Sequence, residues 1–64
     1  MIRFTYQGTD TDQDVSPDIC SVADAAADLA GWGSGVPVTA RQTSATTWTV
    51  TSEGETVTAA VIDA

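Results

Sequence analysis

Apolar and polar residues alternate at the start of the chain. Ile2, Phe4 and Tyr6 fall on one side of a period-two pattern, Arg3, Thr5 and Gln7 on the other. That alternation predicts a half-buried strand, which Gly8 ends. The next segment, Thr9 to Asp14, reads T-D-T-D-Q-D and contains no apolar residue, so it is expected to be a polar loop. The period then changes. Ile19, Val22, Ala23, Ala26, Leu29 and Ala30 recur at three- and four-residue spacings, predicting a helix over about 17–30 with one apolar face. Ser16-Pro17 reads as an N-cap followed by proline at the first helical position. Ser21 with Asp24 is an alternative start, but it takes Ile19 off the apolar stripe. Gly31 suits the left-handed position just past a helix end.

Val36 to Ala64 reads as three strands. In the first, Val38 and Ala40 point one way, Thr39 and Arg41 the other. In the second, Trp48 and Val50 oppose Thr47, Thr49 and Thr51. The third runs from Glu55 to Asp63, with Val57, Ala59 and Val61 on one face. Glu53-Gly54 is a two-residue hairpin signal that pairs Ser52 with Glu55. It sets Val50 opposite Val57, Trp48 opposite Ala59 and Thr46 opposite Val61, while Thr51 meets Thr56 and Thr49 meets Thr58. A slip of one residue scatters the large apolar groups over both faces, so turn and pattern agree on one register. In the preceding hairpin, placing Ala40 beside Trp48 requires a three-residue loop near Ser44. The expected fold is α+β, a single domain over 1–64 in the order β-α-β-β-β. One helix packs on one face of a mainly antiparallel four-stranded sheet, and a threonine-rich face is left open. The first strand is free to pair with either the second strand or the last.

Composition narrows the function classes. The chain has 64 residues, one cysteine and no histidine or lysine. A domain of this size buries only about 60% of the surface its unfolded chain exposes. One thiol makes no disulfide within the chain and no zinc site. Activating a serine or cysteine nucleophile usually takes an adjacent base, most often histidine. The expectation is a protein that is not an enzyme and carries no cofactor. No run approaches the roughly 18 apolar residues of a membrane span, and the alternating N-terminus lacks the unbroken apolar stretch of a signal peptide. The expected location is the cytoplasm.

Nine acidic residues face two bases, Arg3 and Arg41, for a formal net charge of -7. Phosphate backbones are bound by Lys and Arg, so direct nucleic-acid binding is not expected, and an anionic membrane repels such a chain. A basic protein surface is the natural partner. Six acids, Asp10, Asp12, Asp14, Asp18, Asp24 and Asp28, lie in the expected loop and on the helix, which places most of the charge along one edge. Asp10, Asp12 and Asp14 are similar to a calcium loop in their alternate spacing. However, the glycine, the closing glutamate and the flanking helices of that loop are missing, and no metal is expected. A two-carboxylate hydrolase needs a cleft that so small a domain does not offer. Cys20 is expected half-buried at the edge of the helix face. Trp48 belongs to the core. Trp32, between two glycines, reads either as a lid on that core or as an aromatic anchor for a partner.

In size, charge and missing catalytic residues, the chain resembles the small acidic inhibitors that phages make against host DNA-binding machinery, anti-CRISPR proteins and other DNA mimics among them. The likeness covers the whole chain loosely and no position specifically. Members share no common signature, so no residue role carries over. The resemblance implies an inhibitor that blocks a basic groove of a nucleic-acid-binding protein. The lopsided placement of the acids, read from the residues themselves, makes Asp10, Asp12, Asp14, Asp18, Asp24 and Asp28, with Trp32, the expected contact residues of a monomer or weak homodimer. Two alternatives stand beside it. One is a small viral structural or assembly protein or homo-oligomer. The other is a salt-adapted domain of unrelated function, whose acids serve solubility.

Overall fold

Two turns of the same backbone geometry organise the sheet. Gln7 and Gly8 have positive φ, 51° and 78°, and so do Glu53 and Gly54, 54° and 79°. Positive φ at both central residues is the type I′ requirement, whose twist matches the strands it joins. The computed structural model describes residues 1–62. Its elements are, in chain order, β1 (Ile2–Tyr6), β2 (Thr9–Gln13), α1 (Ile19–Ala30), β3 (Thr39–Ser44), β4 (Thr47–Ser52) and β5 (Glu55–Val61).

The sheet has five strands, not the four expected, in the order β2-β1-β5-β4-β3, with every neighbouring pair antiparallel. The added strand is the segment read as a loop. Once Gln7-Gly8 turns the chain, Thr9 pairs with Tyr6 and the ladder runs to Gln13 opposite Ile2. An edge strand of this kind forms through its backbone bonds to β1 and needs no apolar side chain of its own. On its other side β1 pairs with β5, which settles the strand order left open by the pattern.

The helix begins two residues later than its proline suggested. Asp18, with φ -131° and ψ 157°, is the N-cap. Its carboxylate accepts from the Ser21 backbone N–H at 2.8 Å and from the Ser21 hydroxyl at 3.0 Å. Aspartate caps as well as serine does, and here it satisfies two donors where Ser16 would satisfy one. Ile19 thereby becomes the first helical residue and is 41% exposed rather than part of the buried stripe. The C-terminus follows the glycine signal. Gly31 is left-handed, and the Trp32 N–H reaches the Ala27 carbonyl at 3.0 Å while the Gly31 N–H reaches Asp28 at 3.2 Å. This is the Schellman arrangement.

The β4–β5 register is the expected one from Ser52–Glu55 to Thr47–Ala60, and the Val61 N–H bonds to the Thr46 carbonyl. The β3–β4 register differs. Ala40 lies opposite Val50 and Gln42 opposite Trp48, with a bulge between Gln42 and Ser44. The bulge absorbs the odd residue that a three-residue loop was expected to hold. Hydroxyls of Thr43 and Ser44 each lie 2.7 Å from the Thr47 hydroxyl and tie it down. β3 starts at Thr39, so Val38 is outside the strand and exposed. β5 ends at Val61, so Ile62, expected within it, lies past the strand with its N–H on the Met1 carbonyl at 3.0 Å, and Asp63 lies outside the described residues.

Helix and sheet meet over Ile2, Phe4, Val22, Ala26, Trp48, Val50, Val57 and Ala59, all buried. The helix packs on β3, β4 and β5. The opposite face of the sheet has no covering layer among the described residues.

Candidate functional site

The acids expected along one edge are divided between the two sides of this sandwich. Register settles the point for β2. Asp10 and Asp12 lie opposite Thr5 and Arg3, whose neighbours Phe4 and Ile2 face the helix, so both carboxylates stand on the open sheet face. The Asp12 carboxylate takes two bonds from the Arg3 guanidinium, Nε to Oδ1 at 2.8 Å and Nη2 to Oδ2 at 3.2 Å. That pairing holds its carboxyl below the ordinary value and lifts the guanidinium. Asp10 accepts from the Thr5 hydroxyl at 2.7 Å. Asp24 and Asp28 lie one turn apart on the helix, on the side away from Val22 and Ala26. Asp14 is exposed in the segment between β2 and the helix. Asp18 is occupied by its cap bonds, and these, the backbone bond from Ser21 foremost, lower its pKa. Among the described residues only Asp12 is ion-paired, which leaves Asp14, Asp24 and Asp28 without a cation.

Trp32 is half-buried against the core, and its indole N–H donates to Glu55 Oε1 at 2.8 Å. The Tyr6 hydroxyl donates to the same oxygen at 2.8 Å. One carboxylate oxygen thus joins the end of β1, the loop after α1 and the β4–β5 turn. The Trp32 bond, then the Tyr6 bond, holds the Glu55 carboxyl below the usual range, and the same bond raises the Tyr6 phenol. Sequence reasoning passed over Glu55. The signal was present in the hairpin register: Glu55 lies two residues before Val57 and so shares its inward face, where a carboxylate needs donors.

Cys20, expected half-buried, is exposed. Its four-residue steps to Asp24 and Asp28 place it on the outer side of the helix, away from the buried Val22 and Ala26. Trp48 is in the core, as expected, and its indole N–H has no hydrogen-bond partner among the described residues. A cleft of about 270 Å³ separates the end of α1 from the first hairpin, lined by Tyr6, Gln7, Thr9, Thr11 and Leu29. It falls short of the roughly 300 Å³ at which ligand pockets begin. No three or more His, Cys, Asp or Glu side chains converge to hold a metal among the described residues, and no helix is long and apolar enough to cross a membrane.

The open face carries Thr5, Thr47, Thr49, Thr51, Thr56 and Thr58 on its three central strands. Thr39 and Arg41 of the edge strand β3, with Thr49 and Thr51 of β4, surround a shallow dish of about 280 Å³. The exposed surface offers an acidic helix side, a hydroxyl-rich sheet face and, among the described residues, one unpaired guanidinium, that of Arg41. No protein-family model, no curated protein and no solved structure matches the chain.

Proposed function

We propose that the chain is a non-enzymatic acidic binding protein that occupies a basic groove of a nucleic-acid-binding protein in the host cytoplasm and competes there with nucleic acid. The observation that carries this reading is a set of exposed carboxylates with neither a cation nor a hydrogen-bonded side chain among the described residues: Asp14, Asp24 and Asp28, with Glu53 in the β4–β5 turn. Asp24 and Asp28 are separated by about 6 Å of helix rise, a step comparable to that between phosphates along one strand, which rise 3.4 Å per nucleotide along the axis and lie further apart along the backbone. Carboxylates at that step can take the place of phosphates on Lys and Arg. Asp10 belongs to the same charge field from the other side of the sheet, while Asp12 and Asp18 are neutralised or capped and contribute less. Trp32, bound to Glu55, serves better as a lid than as an anchor.

A pull-down from a host lysate with the wild-type chain and with the triple variant Asp14→Asn, Asp24→Asn, Asp28→Asn tests the proposal. The wild-type chain is expected to retain nucleic-acid-binding proteins, to release them steeply with salt, and to be displaced by duplex DNA. Equal retention by the triple variant sinks it. The placement of acids on both sides of the sandwich favours one other reading, a salt-adapted surface. In that case nothing specific is retained, and the chain unfolds when salt is withdrawn.

A further inference from the structure

The open sheet face carries a cross-strand row of five residues: Asp10 on β2, Thr5 on β1, Thr58 on β5, Thr49 on β4 and Arg41 on β3. Its charge is antisymmetric about the centre. Thr58 sits on the middle strand, Asp10 two strands to one side and Arg41 two strands to the other. A two-fold axis along β5, midway between two such faces, lays β3 of one copy over β2 of the other. Each Arg41 then stands over the second copy's Asp10, and threonines meet threonines between them.

We infer that this face is a self-complementary contact surface whose occupant is a second copy of the chain. The receiving side is the dish around Arg41, walled by Thr39, Thr49 and Thr51. The Thr51 hydroxyl already donates to the Thr39 carbonyl at 3.5 Å, and the guanidinium with the Thr39 and Thr49 hydroxyls beside it is a donor set for a carboxylate. Arg41 has no acidic partner among the described residues. Asp10 accepts one bond, from Thr5, and keeps further lone pairs free. Twisted sheets stack face to face about 10 Å apart and within about 30° of alignment, a gap that an extended arginine spans.

Size sets the strength. Five strands about 4.8 Å apart and five residues of about 3.4 Å each cover about 400 Å² per copy, half of the roughly 800 Å² that each side of a standard interface buries. The net charge of -7 on each copy opposes association as well. The contact is a weak, rapidly exchanging dimer. This inference does not rest on the acidic-partner reading, although Asp10 belongs to both: it uses the open sheet face and Arg41, which is unpaired among the described residues.

Sedimentation over a wide concentration range at fixed ionic strength tests it, with circular dichroism confirming the fold of each variant. The wild-type chain is expected to show a concentration-dependent dimer. Arg41→Asp and Asp10→Arg each place two like-charged pairs across the axis and are expected to weaken association about tenfold or more. The double variant, carrying both changes, is expected to recover it. A second measurement needs no charge change: with Cys20→Ser and Thr58→Cys, a short bis-maleimide should link two copies through the central strand. The native Cys20, on the far side of the helix, should not be linked. A chain that stays monomeric at the highest concentration, single variants that associate like the wild type, a double variant that stays weak, or cross-linking through Cys20 each overturns the inference.

Discussion

Glu55 shows how much one side chain can hold in a domain without disulfides. Its Oε1 receives the Tyr6 hydroxyl and the Trp32 indole, so three segments far apart in the chain share one acceptor. The pH dependence follows from the directions of the shifts. Glu55, Asp12 and Asp18 are all held below their ordinary values. Unfolded, they titrate near about 4. The stability they contribute is therefore complete above that pH and is lost as the pH falls through the lower folded values. Tyr6 runs the other way: raised in the fold, its contribution is complete below about 10 and is lost as the pH rises through the folded value. Urea midpoints measured across pH should fall at both ends. In Glu55→Ala both flanks should flatten, and Trp32 fluorescence should lose its acid transition. This node was legible only in part. The hairpin register places Glu55 inward, but nothing local to Trp32 says that its ring turns back toward β5 and not outward to solvent.

At the scale of the element, the same turn occurs twice and was read once. Glu53-Gly54 stands between strands of alternating threonine and apolar residues, and the pattern on both sides announces a hairpin. Gln7-Gly8 has the same φ signs, yet the residues after it alternate threonine with aspartate and offer no apolar period. The missing information is energetic: β2 is held by backbone bonds to β1, which hydrophobicity does not report. The misplaced helix start has a similar cause, because aspartate and serine compete on nearly equal terms and the choice rests on Ser21. The first turn can be tested. A Cβ at Gly8 meets no atom within 4 Å, so the cost of Gly8→Ala is conformational alone. It should lower stability by about 1–2 kcal/mol, read from thermal or urea unfolding. Gln7→Asn, which supplies the residue that type I′ turns favour, should raise it.

For the whole molecule, the expected and observed folds share one helix on one face of an antiparallel sheet and differ by the strand that carries Asp10 and Asp12. That strand also moves the two acids away from Asp24 and Asp28. The acidic residues were legible as a set, while their distribution depended on a strand without a pattern. A chain of 64 residues at roughly 0.05–0.15 kcal/mol per residue has a total stability of about 3–10 kcal/mol. Phe4, fully buried, lies at the centre of the core. Phe4→Ala should cost about 3–5 kcal/mol and leave a large unfolded fraction at room temperature by circular dichroism. Phe4→Leu should fold.

The pairing of β1 with β5 has a kinetic side. Phe4 lies opposite Ala59 and Ile2 opposite Val61, so strands from the two ends of the described chain complete the core together. The first hairpin joins residues close in sequence, but the second edge of β1 stays unpaired until β5 docks on it. Closing so long a loop comes late on the route to the native state and sets its pace. The mature molecule hides its edge between β1 and β5.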